Sequence, residues 1–456
     1  MNLALSARPG LPGLRFPALP ASDVLPRFAL FQQLEASQWL APDKLREWQL
    51  LQLDTLIRHV WAAVPGYRPR LKAAGLAPGS PLSPQTWSRL ALLTRRDLQL
   101  HGPDFVSQAM PPEHGTTSPA RTSGSSGEPV EVLRSGLDRL MWEAITLRDH
   151  AWHRRDLAGT FCAIRAVRAD ASPDTPSRNW GSATMGLFDT GPCFVFPINA
   201  DVSAQVEWLQ RHDPHYLLTY PSNLRALLRQ IEPDSLSRLR EVRTIGETLP
   251  RGLRESVRDQ LGVPLVDLYS CSEVGNVALQ CPDTDQYHVQ SESLLVEVLD
   301  EAGQPCAPGE VGRVVVTTLH SFAQPLLRYD LRDYAEVGIP CSCGRGLPTL
   351  RRIAGRVRNM LTMPNGEKRW PVIGSGELDY RRIAPLRQFQ LAQTTRDVIE
   401  LRVVAERPFT PDDEAALTNL MRSRLGEEFE IRLVHCDELP PGANGKFEEF
   451  LSMIEE

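Results

Sequence analysis

Apolar residues recur at helical spacing between Pro42 and Val64, where Leu50, Leu53, Ile57, Val60, Trp61 and Val64 line one face. The chain up to about residue 110 reads as mostly helical pieces set apart by proline-rich breaks. From Pro111 to Pro129 Gly, Ser, Thr and Pro take over, which predicts a loop. Beyond it a short strand, Val130–Leu133, leads into a helix with Leu137, Leu140, Met141, Ala144 and Ile145 on one side. Short apolar runs then alternate with helical patterns: Phe161–Ala166, Cys193–Ile198, a helix Ser203–Arg211, Tyr216–Tyr220, a helix begun by Ser222, Val242–Ile245, a helix after Pro250, and Val263–Leu268. Alternation of this kind predicts a parallel α/β sheet.

Around Leu294 the texture changes, because Leu294–Leu299 and Arg313–Leu319 flank a turn-rich segment and suggest a hairpin or small barrel. After Gly355-Arg356 come strand patterns at Phe389–Ala392, Ile399–Val404 and Phe429–Val434, with a helix started by Thr410-Pro411-Asp412-Asp413. The expected class is α/β: a large N-terminal domain (1–356) with mixed parallel sheets plus a small barrel-like β region, then a small mobile α+β lid (357–456).

At 456 residues, 42% hydrophobic and 23% charged, the chain can bury a large core, and no apolar run approaches the length of a membrane span. A net charge of -6 speaks against nucleic acid or an anionic membrane as the main partner. The first residues lack a signal-peptide apolar run, so a cytoplasmic protein with reduced cysteines is expected. Only four of the 50 basic residues are lysines: Lys44, Lys72, Lys368 and Lys446. A lysine in a glycine-flanked loop therefore stands out.

Two stretches carry candidate chemistry on their own. In Thr122-Ser123-Gly124-Ser125-Ser126-Gly127-Glu128-Pro129 the glycines allow close backbone approach and the hydroxyls and N–H groups offer donors to a phosphate. The same composition also suits a flexible linker. Cys281, His288, Cys341 and Cys343, spaced C-x6-H, 52 residues, then C-x-C-G, supply three thiolates and one imidazole, a set suited to tetrahedral structural zinc. The alternative is an ordinary buried cysteine and a strand-end histidine.

Further on lie Gly246-Glu247-Thr248-Leu249-Pro250, Tyr269-Ser270-Cys271-Ser272-Glu273-Val274-Gly275, Arg328-Tyr329-Asp330-Leu331-Arg332-Asp333, Gly355-Arg356 and Gly442-Ala443-Asn444-Gly445-Lys446. With the Ser123–Gly127 loop, their order resembles the adenylate-forming superfamily, and Cys-Ser-Cys-Gly-Arg-Gly-Leu-Pro at 341–348 resembles its phenylacetate-CoA ligase-like branch, in proteins often labelled capsule-biosynthesis related. The resemblance spans roughly residues 60–450.

It implies ATP-dependent activation of a carboxylic acid, aryl or otherwise apolar, to an acyl-adenylate with release of pyrophosphate, then transfer to coenzyme A. Transfer to an amine or a separate carrier protein is the enzymatic alternative, and a non-catalytic nucleotide-binding module is the alternative of another class. By the same resemblance Glu273 is the magnesium-associated carboxylate and Tyr269 packs on adenine. Asp333 takes the ribose hydroxyls, and Arg356 reaches ribose or phosphate. Gly246, Glu247 and Ser272 complete the nucleotide pocket, and Lys446 is the catalytic lysine delivered by the lid. The chain departs from the family pattern at Ser270, usually glycine, and at Arg358, usually acidic. Trp180, Met185 and Phe188 fall where relatives build the acyl pocket and would suit an apolar or aromatic acid, though aromatic residues at such spacings are more often plain core. A homodimer is among the expected assemblies.

Overall fold

A computed structural model describes residues 7–121, 130–166, 173–177, 179–356, 360–369, 383–439, 447 and 449–454. Helices α1 (Leu25–Ser37) and α2 (Pro42–Ala63) each begin with a proline in the first turn, where its missing N–H costs nothing. The α2 helix buries Leu53, Ile57 and Val60 of the face its spacing predicts, with Leu45 and Leu56 beside them, while Leu50 and Trp61 are half-buried. Three short helices follow, α3 (Tyr67–Ala74), α4 (Pro84–Trp87) and α5 (Arg95–His101). Ser83 and Thr94 cap the last two through reciprocal hydrogen bonds with Thr86 and Asp97, each such cap contributing about 1 kcal/mol.

Strands β1 (Ser118–Arg121) and β2 (Glu131–Arg134) pair antiparallel and lead into α6 (Gly136–Trp152). Then come β3 (Phe161–Arg165), β4 (Cys193–Pro197), α7 (Val202–His212), β5 (Tyr216–Thr219), α8 (Pro221–Leu228), β6 (Glu241–Ile245), α9 (Leu253–Leu261) and β7 (Leu265–Cys271). The strands β4-β3-β5-β6-β7 form a parallel array. Its two faces show the expected period of two: Cys162 and Ile164 pack toward α7, α8 and α9, while Phe161 and Ala163 pack toward α1 and α6. Truncating the fully buried Ile164 to alanine would cost about 2–5 kcal/mol.

One polar island interrupts this core. Asp149 accepts from Arg155 at 2.6 Å and also pairs with Arg243, while Arg155 donates to Glu241 at 2.7 Å, all four being buried. His150 and His153 lie beside them, and burial first, then the arginines, keeps both imidazoles neutral well below their ordinary value.

The sheet continues beyond β7 in a way the apolar pattern does not predict. The strand expected at Val263–Leu268 starts two residues later and runs on to Cys271, because β8 (Gly275–Gln280) folds back on it as an antiparallel hairpin. Next is β9 (Tyr287–Val289), then β10 (Leu294–Leu299), β11 (Val311–Thr318), β12 (Tyr329–Val337) and β13 (Thr349–Arg356). The β10–β11 pair is the expected hairpin, and since β9 pairs with both β8 and β13 this region joins the main sheet. Among the described residues that sheet has eleven strands in the order β10-β11-β12-β13-β9-β8-β7-β6-β5-β3-β4.

The C-terminal unit follows a small pair, β14 (Leu361–Thr362) and β15 (Lys368–Arg369). Strands β16 (Leu386–Gln393), β17 (Val398–Ala405), β18 (Glu430–His435) and β19 (Phe450–Ser452) form a sheet ordered β18-β17-β16-β19. The helix Pro411–Leu425 covers it, capped by Thr410 and Asp413 as the sequence predicts. Among the described residues no helix is long and apolar enough to cross a membrane.

Candidate active site

The β7–β8 hairpin turns through Ser272, Glu273 and Val274. Gly275 closes it with φ +81, and a Cβ there would lie 2.9 Å from Arg134 Nη2 and 3.1 Å from Trp142 Cδ1. Glycine is required both by the left-handed backbone and by the space. At the base of the turn the Tyr269 hydroxyl donates to Asp333 Oδ2 at 2.9 Å, and Arg356 Nε donates to the other oxygen at 3.2 Å. The register of β12 on β13 sets Asp333 opposite Arg356, so the sheet fixes this pairing. Tyr269 and Asp333 are buried, and burial, reinforced by the Asp333 charge, pushes the Tyr269 phenol far above its ordinary value.

Glu273 stands close enough to feel the same groups. Burial raises its carboxyl above the ordinary value and the Asp333 charge adds to the rise, while Arg356 and Arg95 oppose it. Arg95 Nη1 is 3.9 Å from Glu273, a contact that sequence spacing missed. A signal for the helix start was there in Thr94 and Asp97, but the link to a residue so distant in the chain is tertiary. Leu93 bridges to Tyr329 of β12, which carries α5 to the site.

Gly246 and Glu247 follow β6, which runs parallel to β7 with Ile245 beside Leu268, so they emerge at the same end of the sheet as Tyr269. Glu247 accepts the Ser222 amide and hydroxyl, both at 2.9 Å, and the Phe447 amide at 3.1 Å. The structure thus brings Gly246, Glu247, Tyr269, Ser272, Glu273, Asp333 and Arg356 to the carboxyl ends of β6 and β7 and the adjoining ends of β12 and β13. Ser123, Gly124, Ser125, Ser126, Gly127 and Lys446 lie outside the described residues.

Several neighbours prove structural. Arg328, buried, donates to the carbonyls of Ser88 and Leu90 at 2.7 Å each and pairs with Glu297 at 3.1 Å. Asp330 pairs with Arg313 at 3.4 Å. For the aromatics near the expected acyl pocket the structure favours the core alternative: Trp180 packs against Phe161 and Tyr216 and donates to the Gly159 carbonyl at 3.1 Å, Phe188 belongs to the same core, and Met185 is exposed.

The Cys/His group assembles at the other end of β8. Cys281 follows β8, His288 is in β9, and Cys341 and Cys343 sit in the loop from β12 to β13, where Gly344 turns with φ +84. The four donor atoms all lie within 4.8 Å of one another, the cluster found among the described residues for a metal ion. Cys281 and Cys341 sulfurs are 3.7 Å apart, close to the edge of about 3.8 Å implied by zinc–sulfur bonds of about 2.3 Å in a tetrahedron. Cys343 Sγ is 3.3 Å from His288 Nε2, and His288 Nδ1 faces the Leu347 carbonyl at 3.4 Å. Donation from Nδ1 leaves the Nε2 lone pair turned to the sulfurs, and burial holds the imidazole down at about 4, the neutral form a metal requires. These residues fit zinc.

The same loop grips the N-terminal helices. Arg345 lies over the rings of Trp39 and Trp152, 4.9 and 4.5 Å from their centroids, and donates to Gln38 at 2.9 Å. A Cβ on Gly346 would overlap the Leu40 carbonyl, so only glycine allows this approach. A polar cleft of about 900 Å3 opens here, lined among others by Gln38, Trp152, Cys281 and Arg345. It shares no residue with the Tyr269–Asp333–Arg356 group.

Residues 178–323 match the AMP-binding enzyme family and residues 380–452 the CapK C-terminal domain. The chain is 29% identical over 392 residues to phenylacetate-coenzyme A ligase of Thermus thermophilus, covering 81% of this chain and 83% of that protein. It is 25% identical over 435 residues to phenylacetate-coenzyme A ligase of Escherichia coli, covering 90% and 95%. Its fold matches 2-hydroxyisobutyryl-CoA ligase in the postadenylation state, with a TM-score of 0.70 at 20% identity over 97% of each chain.

Proposed function

We propose that this chain, which belongs to the adenylate-forming superfamily in its phenylacetate-CoA ligase-like branch, uses ATP to activate a carboxylic acid and passes the acyl group to coenzyme A. The observation that carries the reading is the Tyr269–Asp333–Arg356 chain beside Glu273. In the first step an oxygen of the acid attacks the α-phosphorus of ATP, the bond to the β-phosphate bridge breaks and pyrophosphate leaves. In the second the thiol sulfur bonds to the acyl carbon, the bond from that carbon to AMP oxygen breaks, and the thiol proton is lost.

Each residue has a task suited to its chemistry. Asp333 offers two acceptor oxygens to paired ribose hydroxyls, and its bonds to Tyr269 and Arg356 fix the direction of those lone pairs. The Tyr269 ring provides a flat apolar surface for the base. Arg356 brings a fixed positive charge to an anionic ligand. Glu273 would hold magnesium, which supplies positive charge to phosphate oxygens, and Arg95 orients that carboxylate. The loop Ser123–Gly127 would cradle phosphate. Cys281, His288, Cys341 and Cys343 would hold a structural zinc that ties β8, β9 and the β12–β13 loop together. An aryl acid is the substrate we favour, on the names of the curated relatives.

Lys446 would stabilise the charge that builds on the phosphorus oxygens. Residues 1–356 would form the ATP-binding domain and 357–456 the lid that brings this lysine in. Lys446→Ala should slow pyrophosphate release from ATP, magnesium and phenylacetate about 10² to 10³-fold, yet leave conversion of supplied phenylacetyl-adenylate with coenzyme A near wild type. Equal loss in both steps, or none in the first, would refute this role.

A further inference from the structure

We infer that the first turn of α8 is the seat on which the C-terminal unit rests during adenylate formation, with Arg225 and Glu449 as its latch. The inference builds on the ligase reading above. Helix α8 begins at Pro221, and Tyr220 before it provides no side-chain cap. The Ser222 amide would be an orphan donor of the helix start, and Glu247 accepts it at 2.9 Å from the loop after β6. The Glu247 oxygen that takes the Ser222 hydroxyl also accepts the amide of Phe447, at 3.1 Å. One turn along the helix, Arg225 ion-pairs with Glu449.

These two contacts have different physical characters and join the same two pieces of chain. Phe447 and Glu449 belong to the segment that enters β19, whose pairing with β16 ties it to the C-terminal sheet, and the Glu449 carbonyl accepts the Leu391 amide at 2.7 Å. A shift of that sheet therefore moves both contacts together. Phe447 is the residue after Lys446 in the sequence, and its amide is held by the Gly246–Glu247 loop. The latch is held weakly, because the Arg225 and Glu449 side chains keep 16% and 28% of their exposure. A partly exposed ion pair shifts an equilibrium by about fivefold, enough to favour one lid position and small enough to break in every cycle.

The test compares the full-length wild type, Arg225→Glu, Glu449→Arg and the charge-exchanged double variant. In hydrogen exchange followed by mass spectrometry, peptides spanning 219–228 and 447–454 should exchange about fivefold faster in each single variant and return to within about twofold of wild type in the double. Melting temperatures should stay unchanged. Each single variant should slow pyrophosphate release from ATP and phenylacetate about fivefold, with no slowing of thioester formation from supplied phenylacetyl-adenylate. Unchanged exchange in the single variants, no recovery in the double, or equal slowing of both half-reactions would overturn the latch. Because the exchange measurement needs no substrate, a wild type inert toward phenylacetate would count against the ligase reading while the exchange result still decides the seat.

Discussion

Two polar groups lie at opposite ends of the same β7–β8 hairpin, and they are built on opposite rules. At one end Tyr269, Asp333 and Arg356 pair donor with acceptor and plus with minus, so every contact is already satisfied and can be exchanged for a ligand's. At the other end Cys281, His288, Cys341 and Cys343 turn electron-pair donors toward one another within 4.8 Å. A set of this kind fits a cation as its common partner. The first arrangement suits turnover, since a nucleotide can enter and leave by trading hydrogen bonds. The second suits permanence, and its surroundings agree, because Arg345 and Gly346 of the same loop lock onto Gln38 and Leu40.

The largest effect should come from breaking the second group. Cys343→Ser is expected to lower bound zinc from one per chain to near none and to cost several kcal/mol, read as a large fall in melting temperature. Elemental analysis of wild-type protein prepared without chelators that found no stoichiometric metal would end the zinc assignment.

A smaller, differently shaped effect is expected at the first group. Asp333→Ala should weaken ATP binding about tenfold or more, measured by calorimetry, and lower stability by about 1–2 kcal/mol, because the Tyr269 hydroxyl and Arg356 lose their acceptor. The stability cost arises because β12 carries Asp333 into the sheet, where it is buried. Unchanged ATP affinity with the same stability loss would make Asp333 a purely structural residue.

How much of this was legible depended on which forces position each residue. Local capping and alternation carried the helices and the parallel strands, as at Thr410 with Asp413 and at Phe161 to Arg165. The resemblance to the adenylate-forming superfamily singled out Glu273, Asp333 and Arg356, while the ligand chemistry of cysteine and histidine singled out the Cys/His set. The β8 and β9 strands were not legible: Asn276, Gln280 and His288 break the apolar run, yet all are buried through tertiary contacts. Arg95 was missed for the same reason, its role arising only once Leu93 pairs with Tyr329. Trp180 and Phe188 looked like pocket residues because a core aromatic and a pocket aromatic read alike in sequence.

The smallest expected effect comes from the buried ion island, which belongs to neither group and serves as a background for both. His153 is pushed down to about 3 by burial first and by Arg155 next. Below its ordinary value of 6.5 the unfolded chain binds a proton that the fold refuses, so this stability is fully present above pH 6.5 and drains away as the pH falls toward 3. His153→Gln should flatten the loss of melting temperature between about pH 6.5 and 4 without touching zinc content or ATP affinity. An unaltered slope would show that another group governs the acid side.

The central claim is that the satisfied group at the carboxyl ends of the strands forms acyl-adenylates. It is tested most directly by incubating wild-type protein with ATP, magnesium, coenzyme A and phenylacetate, and quantifying products by mass spectrometry. AMP, pyrophosphate and phenylacetyl-CoA are expected in equal amounts. Nucleotide binding with no pyrophosphate from phenylacetate or from a panel of other aryl and short aliphatic acids would contradict it.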